Sequence, residues 1–135
     1  YTPAVAAIHG GAAGAEAQAA LLADLSNAAY ANSEVPHRIR LAAALETDYA
    51  ASGRFDTDLD RLTAPSDGIL DDAHALRAES GADIVVLLVE GGDLAGLAWV
   101  LQDVESDFGA FGFAVVHQEY AASHLVFTHE LGHLM

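Results

Sequence analysis

Helical signals mark three stretches of the chain. Apolar side chains recur at helical spacing across residues 15–31, which contain no glycine or proline, so a first helix is predicted there. A second helix is predicted over residues 69–80 and is stopped by Gly81, because glycine accepts the left-handed conformation found after helix ends. A third is predicted over residues 123–135, with Ser123 as its N-cap and an apolar cover broad enough to bury most of it.

Shorter apolar runs bounded by glycine, proline and aspartate predict strands. Residues 82–90 are apolar on both faces, and we expect them to form the central strand of a sheet. The stretch that starts at Tyr1 and runs into Gly10 is predicted to be the tail end of a strand. Further strands are predicted over residues 37–45, 96–100 and 111–117.

The elements follow the order strand, helix, strand, helix, three strands and helix, which indicates a fold of the α/β (α+β) class. Residues 56–68 are acidic and are interrupted by Pro65, so we predict a long loop there. A chain of 135 residues with 53% hydrophobic residues has enough apolar surface for one core. We therefore expect a single domain over residues 1–135.

Charge and composition exclude several classes of function. The chain has 20 acidic residues against 5 basic ones and a formal net charge of -15, which repels phosphate backbones and makes nucleic acid an unsuitable partner. The absence of cysteine excludes disulfides, thiolate metal sites and a cysteine nucleophile. The longest apolar run, residues 84–89, is too short to span a bilayer, so no membrane segment and no targeting segment is expected.

The last residues carry the strongest chemical motif, His129-Glu130-Leu131-Gly132-His133. On a helix, two histidines four residues apart lie one turn apart on the same face, so both imidazoles reach one cation. Zinc suits this ligand set best. Glu130 points to a neighbouring face, where it is able to take a proton from a zinc-bound water without binding the metal itself.

A plainer interpretation of this motif is an ordinary helix with a histidine pair that faces solvent or is satisfied within the core. The predicted helical context favours the metal site, because that is the context the motif requires. Asp56, Asp58 and Asp60 have the alternate spacing of a calcium loop, but Arg61 stands where such a loop needs glycine. We therefore interpret the three aspartates as part of an acidic, solvated loop.

Other stretches join the motif in one resemblance that covers nearly the whole chain. Taken together and in order, they resemble the catalytic domain of metzincin zinc metallopeptidases, in particular the reprolysin-like secreted bacterial enzymes. The histidine motif is the most specific part of the resemblance. The other stretches are individually weak and support it only when taken together. The stretches are YTPA, YANSEV, DLDRL, SDGILDDAHALR, GADIVVLLVE, GLAW, FGFAVVH and FTHELGH.

The resemblance implies a secreted zinc endopeptidase that acts on protein or peptide substrates, with His129 and His133 as zinc ligands and Glu130 as general base. It also implies a twisted, mixed and mostly parallel sheet with an antiparallel edge strand, packed on helices that include the active-site helix. That edge strand lies along the cleft and pairs with extended substrate through its backbone. Its residues are Gly96, Leu97, Ala98 and Trp99.

The metzincin pattern continues beyond His133 with a glycine, a third histidine ligand and a methionine turn. Met135 falls before that glycine, and the family's first strand would mostly precede Tyr1, so we interpret the chain as a piece of a longer enzyme truncated at both ends. This piece is expected to bind zinc weakly and to be inactive by itself. Two alternatives stay open. One is a gluzincin-type peptidase, in which a downstream glutamate completes the zinc site. The other is a non-catalytic binding domain that keeps the fold.

Overall fold

The computed structural model describes residues 1–101 and 108–135. Among them it has six α-helices, three strands and a short 3-10 helix at Phe108–Phe111. The helices are α1 (Pro3–Ile8), α2 (Ala12–Asn32), α3 (Phe55–Thr63), α4 (Asp71–Ser80), α5 (Gln118–Ser123) and α6 (Val126–His133). The strands are β1 (Val85–Val89), β2 (Gly96–Ala98) and β3 (Phe113–His117). In this part of the chain, no helix has the length and apolar character needed to cross a membrane.

The sheet is mixed, with strand order β1-β3-β2. β1 runs parallel to β3, and β2 runs antiparallel to it, which confirms the antiparallel edge strand. The prediction that residues 82–90 form the central strand was wrong, because β3 holds that position. Apolar residues on both faces of a strand indicate that both faces are buried. They do not indicate whether the strand pairs with one neighbouring strand or with two. The mostly parallel character was also not found, since the described strands make one pairing of each sense.

The N-terminal stretch was wrongly predicted as a strand. Strand-like backbone pairing is limited to its first two residues. The Tyr1 ammonium donates to the Leu45 carbonyl at 2.8 Å, the Tyr1 carbonyl accepts the Thr47 N–H at 3.0 Å, and the Thr2 N–H donates to the Leu88 carbonyl at 3.2 Å. α1 then begins at once, because the Thr2 hydroxyl accepts the Val5 N–H and proline suits the first helical turn. The capping signal therefore overrides the β-branched residues around it.

The strand predicted over residues 37–45 did not form as such. The segment has no regular secondary structure. A cavity of about 420 Å³ is lined both by this segment and by β1. The two backbones therefore do not close into a hydrogen-bonded ladder there.

The loop predicted over residues 56–68 contains a helix, α3. Its signal is the helical spacing of Phe55, Leu59 and Leu62, which are all buried against the sheet. Asp56 and Asp58 lie in its first turn, where carboxylates interact favourably with the helix dipole. Acidic composition had obscured an amphipathic helix.

The other helices largely match the sequence. α2 covers the predicted residues 15–31, and α4 ends at Gly81 in the left-handed conformation, as expected. The helix predicted over residues 123–135 is α6, which begins only at Val126. The predicted N-cap was wrong, because Ser123 is the last residue of α5, a short helix that was not predicted, and Leu125, with a positive φ of 54°, separates α5 from α6. This break sets the direction of the helix that carries the histidine motif.

Two apolar clusters cover the two faces of the sheet. On one face, Phe113 and Val115 pack against α3, and on the other, Leu88 and Val116 pack against α1 and α2. α6 contacts β2, β3 and α2. The sheet edge at β2 and the face of α2 therefore fix where the C-terminal helix lies.

Asp58 is a buried carboxylate that ties α3 to the preceding loop. It is 0% exposed and accepts hydrogen bonds from the Tyr49 hydroxyl at 2.5 Å and the Ser52 N–H at 2.9 Å. Asp56 is instead paired with Arg54. The aspartates do not converge on a common point, which agrees with setting the calcium loop aside.

Replacing Asp58 by alanine is expected to lower the free energy of unfolding by about 2–4 kcal/mol, because the buried Tyr49 hydroxyl and the Ser52 N–H both lose their acceptor. Chemical denaturation measures this loss. The matched control is Asp60→Ala, which alters an exposed carboxylate on the same helix and should change the unfolding free energy by less than about 0.5 kcal/mol. Equal effects of the two substitutions would contradict the structural role of Asp58.

Candidate active site

His129 and His133 lie one turn apart on α6 and turn their rings toward each other. Their Nε2 atoms are 3.1 Å apart, and the ring planes are perpendicular, at 90°, with centroids 4.7 Å apart. His129 is exposed and His133 is partly exposed. Two imidazole nitrogens therefore meet at the protein surface, where a solute has access to both.

The spacing of these nitrogens fits a shared zinc ion. Zinc binds imidazole nitrogen at about 2.0–2.1 Å with tetrahedral geometry, so two such ligands lie roughly 3.3 Å apart. The observed 3.1 Å is close to that separation. Without a metal, the same contact is a hydrogen bond in which the N–H of one ring donates to the bare nitrogen of the other. Within residues 1–101 and 108–135, no group of three or more histidine, cysteine, aspartate or glutamate side chains is placed to hold a metal.

Glu130 occupies a different environment from its two neighbours. It is buried, with 6% of its surface exposed, and its side chain lies against β2 beside Gly96. Burial raises the pKa of the Glu130 carboxyl above its ordinary value, and the nearby His129 and His133 partly offset that rise. The motif thus separates a pair of accessible nitrogens from a carboxylate held in the protein.

Hydrogen bonds to two neighbouring segments hold α6 in place. The Thr128 hydroxyl is 2.9 Å from the Ser26 hydroxyl, and the Thr128 carbonyl accepts from the Tyr30 hydroxyl at 3.2 Å. At the other end, the His133 carbonyl accepts the Leu101 N–H at 2.8 Å. The helix is therefore anchored to α2 before the first histidine and to the chain after β2 at the second.

β2 is the three-residue edge strand beside this helix. Gly96 and Leu97 are partly exposed, and Ala98 is buried. Among the described strands, only β3 pairs with β2, so the outer edge of β2 has no partner strand in that part of the protein. Trp99 follows the strand, and its indole N–H donates to the Thr63 hydroxyl at 2.8 Å. The structure thus places the sequence-predicted substrate strand next to α6, while its contact with substrate stays a prediction.

Other histidines lie outside this group. The His117 ring accepts the Glu119 N–H and caps α5, and the His124 ring contacts the Ser123 hydroxyl at 2.8 Å. Sequence reasoning missed the anchoring residues Ser26 and Thr128, because a hydrogen bond across 102 positions leaves no local pattern.

Comparison with known proteins agrees with the motif. Residues 16–135 match the family described as Metallo-peptidase family M12B Reprolysin-like. Peptidyl-Asp metalloendopeptidases from two strains of Stenotrophomonas maltophilia are each 38% identical to the chain over 109 residues. One from Xanthomonas campestris pv. campestris is 35% identical over 109 residues. No solved structure shows a significant match.

These matches cover 81% of this chain but only 25% of each relative. The chain therefore spans about a quarter of the length of the curated relatives it matches. The aligned part includes most of the fold described above.

Proposed function

The chain belongs to the reprolysin-like M12B family of metallopeptidases, and we propose that the protein containing it is a zinc-dependent endopeptidase. The observation that carries the proposal is the 3.1 Å separation of the His129 and His133 Nε2 atoms. Glu130, which follows His129 in the sequence, is buried. His129 and His133 would hold the metal. The metzincin pattern has a third histidine ligand, three residues after the glycine of the pattern.

The side chains divide the chemistry between them. Zinc, when bound, supplies Lewis acidity for peptide hydrolysis near neutral pH. Glu130 takes a proton from the attacking water and delivers it to the leaving amine of the cleaved bond. The raised pKa of the Glu130 carboxyl suits this role, because a proton carrier is most effective when its pKa approaches the working pH.

Substrate binding is proposed along β2. An extended peptide pairs with the outer edge formed by Gly96, Leu97 and Ala98, and Trp99 borders the end of that edge. The support is the absence of a second partner strand for β2 within the described residues and the packing of β2 on α6. Backbone pairing at a sheet edge accepts many sequences and holds the scissile bond in an extended form.

Cleavage beside aspartate is the proposed specificity. The support is the name shared by the three relatives, peptidyl-Asp metalloendopeptidase, at 35–38% identity. The test compares kcat/KM for two peptides that differ only by Asp or Asn at one position. We expect at least a tenfold preference for the aspartate peptide, since a site built for a carboxylate leaves its polar groups unpaired with other side chains. Equal rates would contradict this specificity.

Secretion is also proposed, from the resemblance to secreted bacterial enzymes. Immunoblotting of culture supernatant and cell pellet from the source organism tests it. The protein should accumulate in the supernatant, and retention in the pellet would contradict secretion.

Removal of metal tests the proposed activity. The full-length protein should contain about one catalytic zinc, and a chelator such as 1,10-phenanthroline should reduce peptide hydrolysis at least ~100-fold, because Lewis acidity is worth several kcal/mol. Added zinc should restore the rate. Hydrolysis that persists in the metal-free protein would contradict a zinc enzyme, and a zinc-loaded protein without hydrolysis would favour a binding domain.

A further inference from the structure

Gly96 lies at the closest approach between β2 and the helix that carries the histidine motif. A Cβ atom at this position would be 2.5 Å from Glu130 Oε1 and 2.7 Å from Glu130 Cγ. It would also be 2.7 Å from Val126 Cγ1. Nonbonded carbon atoms prefer separations of about 3.5–4.0 Å. The Glu130 side chain therefore occupies space that any residue with a Cβ would claim.

Backbone conformation does not require glycine here. Gly96 pairs with Val116 in the antiparallel ladder of β2 and β3, and it is not among the glycines with positive φ. Glycine within a strand weakens the strand, and a common reason for it is the close approach of another group. The remaining reason for glycine at position 96 is the space filled by the side chains of Glu130, which makes the shortest contact, and Val126.

Ala98, the other small residue of β2, provides a comparison for Gly96. Ala98 is two positions along the strand, so it shares a face with Gly96, and it packs in a cluster with Leu134. A methyl group is thus accommodated at position 98. It is at position 96, beside Glu130, that the strand has no side chain.

We propose that Gly96 is a positioning residue for Glu130: its bare Cα lets the carboxylate lie against β2 and fixes it for proton transfer. The inference rests on the proposed function, in which Glu130 is the general base. Gly96 acts through Glu130 and not on the metal, so its replacement should displace the carboxylate while leaving His129 and His133 able to bind zinc. This role is separate from backbone pairing with substrate, which an alanine at position 96 preserves.

The first test is kinetic and uses the full-length, zinc-loaded protein. Gly96→Ala should lower kcat about 100-fold, since a displacement of about 1 Å costs that much, with KM within about threefold and zinc content unchanged. The control is Gly91→Ala, because a Cβ there meets nothing within 4 Å and Gly91 has no positive φ; it should retain wild-type kcat. A Gly96→Ala enzyme with kcat within about threefold of wild type, or one whose loss lies in KM or zinc content, would overturn the proposal.

The second test does not depend on activity. If Glu130 and a Cβ at position 96 compete for the same space, the drop in melting temperature caused by Gly96→Ala should be at most about half as large when residue 130 is alanine. Equal drops in the two backgrounds would overturn the proposal. Should Gly96→Ala fail to fold, recovery of folded protein by the added Glu130→Ala supports the proposal, and continued failure overturns it. A wild type without zinc-dependent hydrolysis would refute the proposed function alone, since this thermal cycle still decides the contact.

Discussion

The Glu130→Gln variant is expected to keep its zinc and lose about 10²–10⁴-fold in kcat, the range attributed to general acid–base catalysis. Glutamine has the size of glutamate, so it fits the buried space beside Gly96. It has no basic oxygen to accept a proton at neutral pH. The variant therefore removes proton transfer and leaves the shape of the site intact. Steady-state kinetics with a peptide substrate, together with metal analysis, measures both quantities.

The matched control is Glu119→Gln, which makes the same change on an exposed residue of α5. Its kcat should stay within about twofold of wild type, because the interactions of an exposed charge are largely screened by salt. Equal activity of Glu130→Gln and wild type would remove Glu130 from the mechanism. Loss of zinc from Glu130→Gln would show instead that the carboxylate supports the metal.

The His133→Ala variant is expected to lose both zinc and activity. Removing a partner that merely orients a zinc ligand costs about 10–100-fold in metal affinity, so loss of a ligand should cost at least about 100-fold. The backbone should be unaffected, because the His133 carbonyl still accepts the Leu101 N–H. Equilibrium dialysis against a zinc buffer measures the affinity, and peptide hydrolysis measures the activity.

His124→Ala serves as the control for the histidine variant. His124 is exposed, contacts the Ser123 hydroxyl and lies at the end of α5, before α6 begins. This control should bind zinc and hydrolyse peptide like the wild type. If His133→Ala bound zinc as tightly as His124→Ala, the pair of rings on α6 would not be the metal site.

The candidate site was readable from sequence because its signal is local. His129 and His133 are separated by about one helical turn, so the helix places both rings on one face, where their Nε2 atoms lie 3.1 Å apart. The burial of Glu130 against Gly96 could not be read in this way. It depends on how β2 docks against α6, and that docking brings together residues 34 positions apart in the sequence.

The sequence predicted those elements in which regularly spaced apolar residues are bounded by glycine or polar turns. The long helix α2 and the three strands after Gly81 were found, because apolar spacing and glycine turns bound them. α3 was missed because its acidic residues resemble those of a loop, although Phe55, Leu59 and Leu62 already have helical spacing. The pairing order of the strands was also missed, since apolar residues on both faces do not specify which strand lies between the others.

Anomalous diffraction at the zinc edge from crystals of the full-length protein tests the central claim most directly. We predict one strong peak within about 2.0–2.1 Å of the Nε2 atoms of both His129 and His133. The Glu130 carboxylate should lie outside the coordination shell. A zinc peak at a site without these two histidines, or bound by only one of them, would contradict the account.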